Sequence, residues 1–465
     1  MPVVPLGKGA YRRTASRGPE IRLVNRYFEA QPTNLVDGGM LLTRPSLTRW
    51  QNLGANPIRG VWRKAGVYNG DLIAVMGTGV YRIAASGTTE LLTGSVPGTG
   101  PVVIDGLENE VFIANGTGLY RASGGAVSLV SFPDAAGVSS VACIRGFVIA
   151  VRADTQRLYW RLPGFTTWDA LDVVSAEQSA DKVIHVVRLR DEILAFGEET
   201  VEPFYLTGDP DVAIATAEGR SYETGALARD SIAKIDNTVY WVGAGENGAG
   251  VVYRLDGAGP VRISDHGLEE RIAGVTASSI RAWAFMRHGH AFYVLHLGAA
   301  GTFVFDAATG QWSQWVSDGS ARWRAACGTF MTGVGVVAGD ETTGQIWVLS
   351  DNGVDDAPVS GTVPMARAAT GGLPVTGGRV ACSSFRLTCA VGQGGSATIG
   401  LRFSDDYGQT FFDAGTVSLG ATGETDREIY WNRLGSMRAP GRVFEVYDSG
   451  SVATRISYAL VNEAL

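Results

Sequence analysis

Cysteine is scarce. Cys143, Cys327, Cys382 and Cys389 are the four in 465 residues, with no CxxC pair and no repeated spacing, so neither a zinc knuckle nor a disulfide framework is encoded. Lysine is limited to Lys8, Lys64, Lys182 and Lys234, so the body lacks the concentrated basic face that gripping phosphate by counterion release requires. No run of about 18 apolar residues occurs, and the opening MPVVPLGKGAYRR has no continuous apolar core of a signal peptide. The expectation is a soluble chain made in the cytoplasm, with no membrane insertion. No P-loop, G-x-S-x-G elbow, H-E-x-x-H or strand-linked G-x-G-x-x-G is found, which weighs against the common enzyme classes. Long 3.6-period stretches are nearly absent as well. The one fair helical candidate is Ser175 to Val183.

What is present is strand after strand. Hydrophobic residues make up 45% of the chain and charged ones 18%, enough to bury a sizeable core, and 62 glycines demand frequent turns. LIAVMGTGVYR (72–82), EVFIANGTGLYR (110–121) and FVIAVRADTQRLYW (147–160) share an apolar strand, a polar turn and a strand entered at an aromatic. Their tyrosines, Tyr81, Tyr120 and Tyr159, are 39 residues apart, close to the ~40–45 of one propeller blade. Looser copies follow at 192–206, 238–255, 291–306 and 334–350. Seven copies suggest six or seven blades, with a series of unrelated hairpins in a sandwich as the alternative. After Asp351 the segment 351–379 is rich in Gly, Pro and Ala and reads as a linker. About six further strands then fit a small sandwich. The fold class expected is all-β: a β-propeller over 65–350, an extended basic N-terminal arm and entry strand over 1–64, and a C-terminal β-sandwich over 380–465.

Charge is unevenly spread. Residues 1–64 hold 11 basic side chains against Glu20, Glu29 and Asp37, a net +8, whereas the remaining 401 residues hold 28 basic and 43 acidic ones. A basic arm on an acidic body suggests self-association at least as readily as nucleic-acid binding.

Candidate sites are few. Ser404, Asp406, Gly408, Thr410 and Phe411 match S-x-D-x-G-x-T-F, the Asp box, a turn familiar from sialidase-type propellers. There Asp406 would accept turn amides, Gly408 supply a positive φ and Phe411 anchor the turn in the core, a structural role. His288, His290 and His296 would share one face of an unbroken strand. A metal there needs backing carboxylates, and Asp306 is the nearest following acid, so exposed or interfacial histidines are the preferred reading. Trp312, Trp315 and Trp323 suit a glycan platform, and suit packing between blades better. Glu198, Glu199 and Glu202 could be imagined as glycosidic carboxylates, without further support. The sequence assigns no catalytic, cofactor-binding or metal-ligating residue and no cofactor.

Several stretches carry a resemblance. LVNRYFEA (23–30), TRPSLTRW (43–50) and IRGVW (58–62) follow the opening segment. AEQSADKVIHVVRLRDEILAFGEETVEPFYLTG (176–208) places Phe196, Gly197, Thr200, Val201, Glu202, Phe204, Leu206, Thr207 and Gly208 in a family pattern. HAFYVLHLGAAGTFVFDAATGQW (290–312) and REIYWNRLGSMRAPGRVFEVY (427–447) come next in order. Together, over most of the chain, they resemble the packaged-DNA stabilisation proteins, the tail hub or nozzle, of short-tailed phages. The resemblance implies a non-enzymatic virion protein of the tail. It would form a hexameric ring below the portal–adaptor complex, help retain packaged DNA, form part of the DNA ejection channel, and carry a tail needle or a tailspike or fibre. DNA would pass without sequence-specific binding; acidic faces along the bore would let phosphate slide. Two rivals stand beside it: a sialidase-like glycan hydrolase or glycan-binding propeller, which needs an arginine cluster over a carboxylate pocket, and a propeller interaction scaffold with no virion role.

Overall fold

The seven repeated segments become the two middle strands of seven four-stranded antiparallel sheets. In the computed structural model the described residues are 2–7, 22–31, 38–133, 137–177, 179, 181–217, 219–244, 250–257, 259–317, 320–351, 355–356, 363–394, 397–449 and 452–462. Sheet one runs Ile58–Trp62, Leu72–Met76, Gly79–Ile83 and Thr89–Leu91. The same meander restarts at Val103, Val138, Val183, Ala233 and Ile280. The seventh sheet has three strands of its own, Ala325–Met331, Gly335–Asp340 and Gln345–Ser350, and takes its outermost strand, Ser46–Asn52, from near the N-terminus. That loan fastens the first sheet's neighbour to the chain that precedes it, so opening the ring requires breaking a full antiparallel ladder from Ser46↔Ser350 to Asn52↔Gln345.

The runs LIAVM, VFIA and FVIAV lack polar alternation because both of their faces are covered. In Leu72–Met76 all five side chains are buried. Ile73 and Val75 pack with Val111, Ile113 and Tyr120 of sheet two, while Leu72, Ala74 and Met76 pack with Met331, Val337 and Ile346 of sheet seven. Seven such apolar clusters lie between consecutive sheets, one of them between seven and one. This is a β-propeller. The three tyrosines occupy equivalent places in the third strands, Tyr159 at 1% and Tyr120 at 9% exposure, Tyr81 half-buried. Tyr159→Ala is expected to cost about 3 kcal/mol, against clearly less for Tyr81→Ala. Urea denaturation of the two variants checks the ranking.

The remaining strands form two sheets that share one core. Arg26–Ala30, Gly39–Thr43, Ile456–Val461, Ser384–Cys389 and Ile429–Asn432 make one, with Val3–Val4 also on Ile456–Val461. Leu23–Val24, Arg367–Pro374, Gly441–Asp448, Thr398–Ser404 and Phe412–Ser418 make the other. Phe385, Leu387, Trp431 and Ile456 of the first meet Ile399, Leu401, Phe444 and Val446 of the second. The second sheet is continuous with sheet six, through the parallel pair Val24↔Gln314.

Three expectations are corrected. The segment 1–64 supplies the expected entry strand, Ile58–Trp62 of sheet one, but the part before it is not an extended arm where it is described: its other strands sit inside the two-sheet unit and in sheet seven. Leu23, Leu41 and Leu47 are buried, and apolar residues this sparse in a basic stretch give no periodicity to read. Residues 8–21 lie outside the described residues. Within 351–379, Arg367–Pro374 is an interior strand rather than linker, because Gly371 lies against Pro5 and Val4, where a Cβ would sit within 3 Å of their atoms. A strand built for close approach reads as a Gly-rich connection. The Ser175–Val183 helix is not found among the described residues of that span either: Val173–Ser175 completes sheet three and Val183–Leu189 opens sheet four. The one α-helix among the described residues is His266–Ala273, capped by Asp265 Oδ1 accepting from the Leu268 amide at 2.8 Å. No helix is long and apolar enough to cross a membrane, among the described residues.

Candidate functional site

The innermost strands of the sheets surround an axis, and two cavities that share Val103 and His185 occupy it. The smaller, about 250 Å³, lies where the innermost strands begin and carries Arg59, Arg229 and Arg281 with Asp230. The larger, about 710 Å³, lies where they end. Around it stand Arg63 and Lys64 of sheet one, Arg188 and Arg190 of sheet four and Lys234 of sheet five, with Asp105 of sheet two. Eight cations therefore line the axis against two acids, in a chain whose formal net charge is −7. The expectation of a body without a concentrated basic face is corrected here: the propeller gathers cations that are far apart in sequence.

Each end is built differently. Arg59 is 4% exposed and donates to four carbonyls, of Gly100 (2.7 Å), Gly77 (2.9 Å), Val96 (2.8 Å) and Pro97 (3.0 Å), which makes it a clamp on the 93–101 connection. Arg229 is paired with Asp230 at 2.9 Å. His185 lies between the ends with Nδ1 3.1 Å from Ser140 Oγ; burial, helped by Arg229, pushes it down to about 3, so it is neutral at physiological pH. At the wide end the cations have carbonyl partners instead of acids. Lys64 Nζ donates to Gly106 O (3.0 Å), Lys234 Nζ to Arg188 O (2.8 Å), Arg188 Nε to Arg190 O (2.9 Å) and Arg63 Nε to Gly70 O (3.0 Å). Desolvation and then the Arg188 charge lower the Lys234 pKa. Asp105, held by the amides of Cys143 (2.7 Å) and Gly106 (2.8 Å), has its carboxyl raised by burial against the pull of Lys64.

The residues singled out in the sequence do not converge there. His288 sits in the turn before His290–Leu297, with φ 49° and Nε2 2.5 Å from Asp351 Oδ2. His290 and His296 are buried rather than exposed: His290 Nδ1 meets Asp306 Oδ2 at 2.8 Å, and His296 is held between Ala325 O (2.8 Å) and Thr302 Oγ1 (2.9 Å). The cover comes from outside their own strand, from sheet seven over His296 and from the Tyr27 ring, 5.1 Å away, over His290, so the interfacial reading fits and the exposed one does not; sequence spacing cannot supply such neighbours. Among the described residues, no three His, Cys, Asp or Glu side chains gather as metal ligands would. Trp312 packs between sheets five and six, and Trp315 and Trp323 between six and seven. Glu202 is buried in its strand, whereas Glu198 and Glu199 are exposed in the turn before it, so the three present no common face.

The Asp box forms as a turn joining Thr398–Ser404 to Phe412–Ser418. Asp406 accepts from Ser404 Oγ (2.6 Å) and from the amides of Gln409 (3.0 Å) and Thr410 (2.9 Å). The Ser404 and Thr410 hydroxyls and these amides hold its carboxyl down at about 2, and Gly408 takes φ +88°. Phe411 differs from expectation. It is half-buried with the Arg402 guanidinium 5.8 Å over its ring, outside the core.

The axial cations were the residues missed. Their signal is a basic residue at the end of an innermost strand, in VWRK (61–64), VRLR (187–190) and AKI (233–235), and it is visible only once the strands are placed around an axis.

A family model described as Bacteriophage P22 Gp10, β-propeller, matches residues 2–353, a span that takes in all seven sheets. No curated protein matches the chain. Among solved structures, the computationally designed Ika8 protein aligns at a TM-score of 0.40 and 12% identity, over 66% of this chain and all of its own. The order of strands, the ring of apolar interfaces and the family match over three-quarters of the sequence agree, and the chain belongs to the Bacteriophage P22 Gp10 family of β-propellers, the DNA-stabilisation proteins of the phage tail.

Proposed function

We propose that this protein is a structural hub of a phage tail. Six copies form a ring below the portal–adaptor complex, help retain packaged DNA and frame the channel through which it is ejected. A tail needle or a tailspike or fibre docks at the distal end. The observation that carries this reading is the family match over residues 2–353. The architecture supports it mechanically. The N-terminal strands belong both to sheet seven and to the two-sheet unit, so the chain is stitched to itself along the outer edges of sheets six and seven. A subunit stitched in this way suits a wall that holds against internal pressure. The role needs no reacting residue.

The basic excess of residues 1–64 contributes inside the subunit. Arg44 is buried against Asp356 at 2.7 Å, Arg26 against Asp448, and Arg22 lies 3.6 Å from Glu445. Charge asymmetry is therefore a weaker argument for an arm between subunits than it is in sequence, and the contacts between copies are to be sought on other surfaces. Native mass spectrometry of the purified chain, alone and with a portal–adaptor complex, tests the proposal. The expected result is six copies per complex, seen as a six-fold ring in negative stain. A chain that stays monomeric and fails to seat on the complex overturns it.

A further inference from the structure

We propose that the wide end of the propeller axis is a binding site for a compact oligophosphate. Arg63, Lys64, Arg188, Arg190 and Lys234 surround a cavity of about 710 Å³, and Asp105 is its one acid. Among the described residues none of the five has a carboxylate within ion-pair distance. Many arginines elsewhere on the same chain do have one: Arg82 meets Asp71, Arg161 meets Glu110, Arg324 meets Asp340 and Arg442 meets Asp405. An acidic protein has carboxylates in excess, so leaving five cations unpaired around one cavity is costly through their mutual repulsion unless an anion from outside offsets it.

The geometry prepares these groups for such an anion. A single backbone carbonyl positions each of Arg63, Lys64, Arg188 and Lys234, and an ammonium keeps two further donors and a guanidinium several. Phosphate is the fitting class. Forked guanidinium donors match its oxygens, lysine adds point charge, and a condensed phosphate carries roughly one charge per phosphorus in a volume that this cavity accepts. The cavity falls within the ~300–1,000 Å³ typical of small-ligand sites. Duplex DNA is far too wide for it. The chain's own segment 8–21 is excluded by charge, since it carries Lys8, Arg12, Arg13 and Arg17 against Glu20. The site is independent of ring assembly, because all its residues come from one subunit's propeller.

Isothermal titration of the full-length protein with inorganic tripolyphosphate is the test, with citrate as a carboxylate of similar charge. Binding of one tripolyphosphate per chain is expected, weaker at higher salt. The pair Arg190→Asn and Lys234→Gln should weaken it at least ten-fold. Both positions are exposed, and asparagine tolerates the φ of 56° at residue 190, so the melting temperature should hold. Arg63→Gln, on a different sheet, is the second variant and should weaken binding in the same direction. Absence of saturable binding overturns the proposal, as does binding that neither variant weakens. Citrate binding as tightly as tripolyphosphate overturns the phosphate assignment.

Discussion

Asp448→Asn is expected to destabilise the protein by about 3–5 kcal/mol, read as a lowered urea midpoint at unchanged slope. Asp448 ends the strand Gly441–Asp448 and takes two guanidiniums at once, Arg26 from Arg26–Ala30 and Arg367 from Arg367–Pro374. Both arginines have fully buried side chains. Thr454 completes the cluster, its hydroxyl 2.8 Å from Asp448 Oδ2 and 2.6 Å from an Arg26 nitrogen. Burial pulls the Arg26 pKa down while Asp448 opposes it and Arg367 adds to the fall. Removing the carboxylate charge leaves two desolvated cations facing one another with only a neutral amide between them. The converse change is informative: Arg26→Met in the Asp448→Asn background should recover part of the loss, because one orphaned charge is then gone. If Asp448→Asn melts with the wild type, the joint between the two sheets rests on the apolar core alone.

That joint also shows which parts of the fold were legible. The second strands of the propeller sheets could be read, because a strand covered on both faces writes itself as an uninterrupted apolar run, and LIAVM or VFIA, short and bounded by turn residues, reads as strand rather than helix; third strands such as GVYRI and LYRAS were placed by the repeated turn and aromatic. The strands recruited from outside the repeat could not. Ser46–Asn52 reads SLTRWQN, with Leu47 and Trp50 as its apolar members, since an outermost strand is covered on only part of one face. Arg367–Pro374 reads RAATGGLP and is interior because its small residues let Val4 and Pro5 approach. Small residues at an interface and turn residues are the same letters. The candidate site had the same limit. Lys64, Arg188 and Lys234 are separated by more than 40 residues, and only closure of the propeller makes them neighbours of one cavity. Asp406 was readable because every partner lies within four residues of it.

Acid should unfold the protein early, and two buried histidines are the reason. His185 and His296 are each held neutral by burial, with pKa values down at about 3, while in the unfolded chain both return to about 6.5. Below pH 6.5 the unfolded state binds two protons that the folded state refuses, so stability is fully present above that value and is lost as the pH falls toward the folded values. The slope approaches about 1.4 kcal/mol per pH unit for each histidine once the pH is well below 6.5, which amounts to about 3 kcal/mol for the pair between pH 6.5 and 5. His290 has the opposite sign. Its hydrogen bond to Asp306 raises its pKa, so its contribution is complete below about 6.5 and is lost as the pH rises through the folded value. His296 offers the cleaner variant. Its Nε2 donates to Ala325 O and its Nδ1 accepts from Thr302 Oγ1, which itself accepts the Trp323 amide at 3.0 Å, so a proton on Nδ1 forces the Thr302 hydroxyl hydrogen to turn away from the ring and find another acceptor in the core. His296→Gln removes one titrating group and should halve the fall in unfolding free energy between pH 6.5 and 5, measured by urea denaturation at each pH. An acid limb of unchanged steepness in His296→Gln, or a wild-type curve that is flat across that interval, would mean that these imidazoles take up their protons without leaving the core.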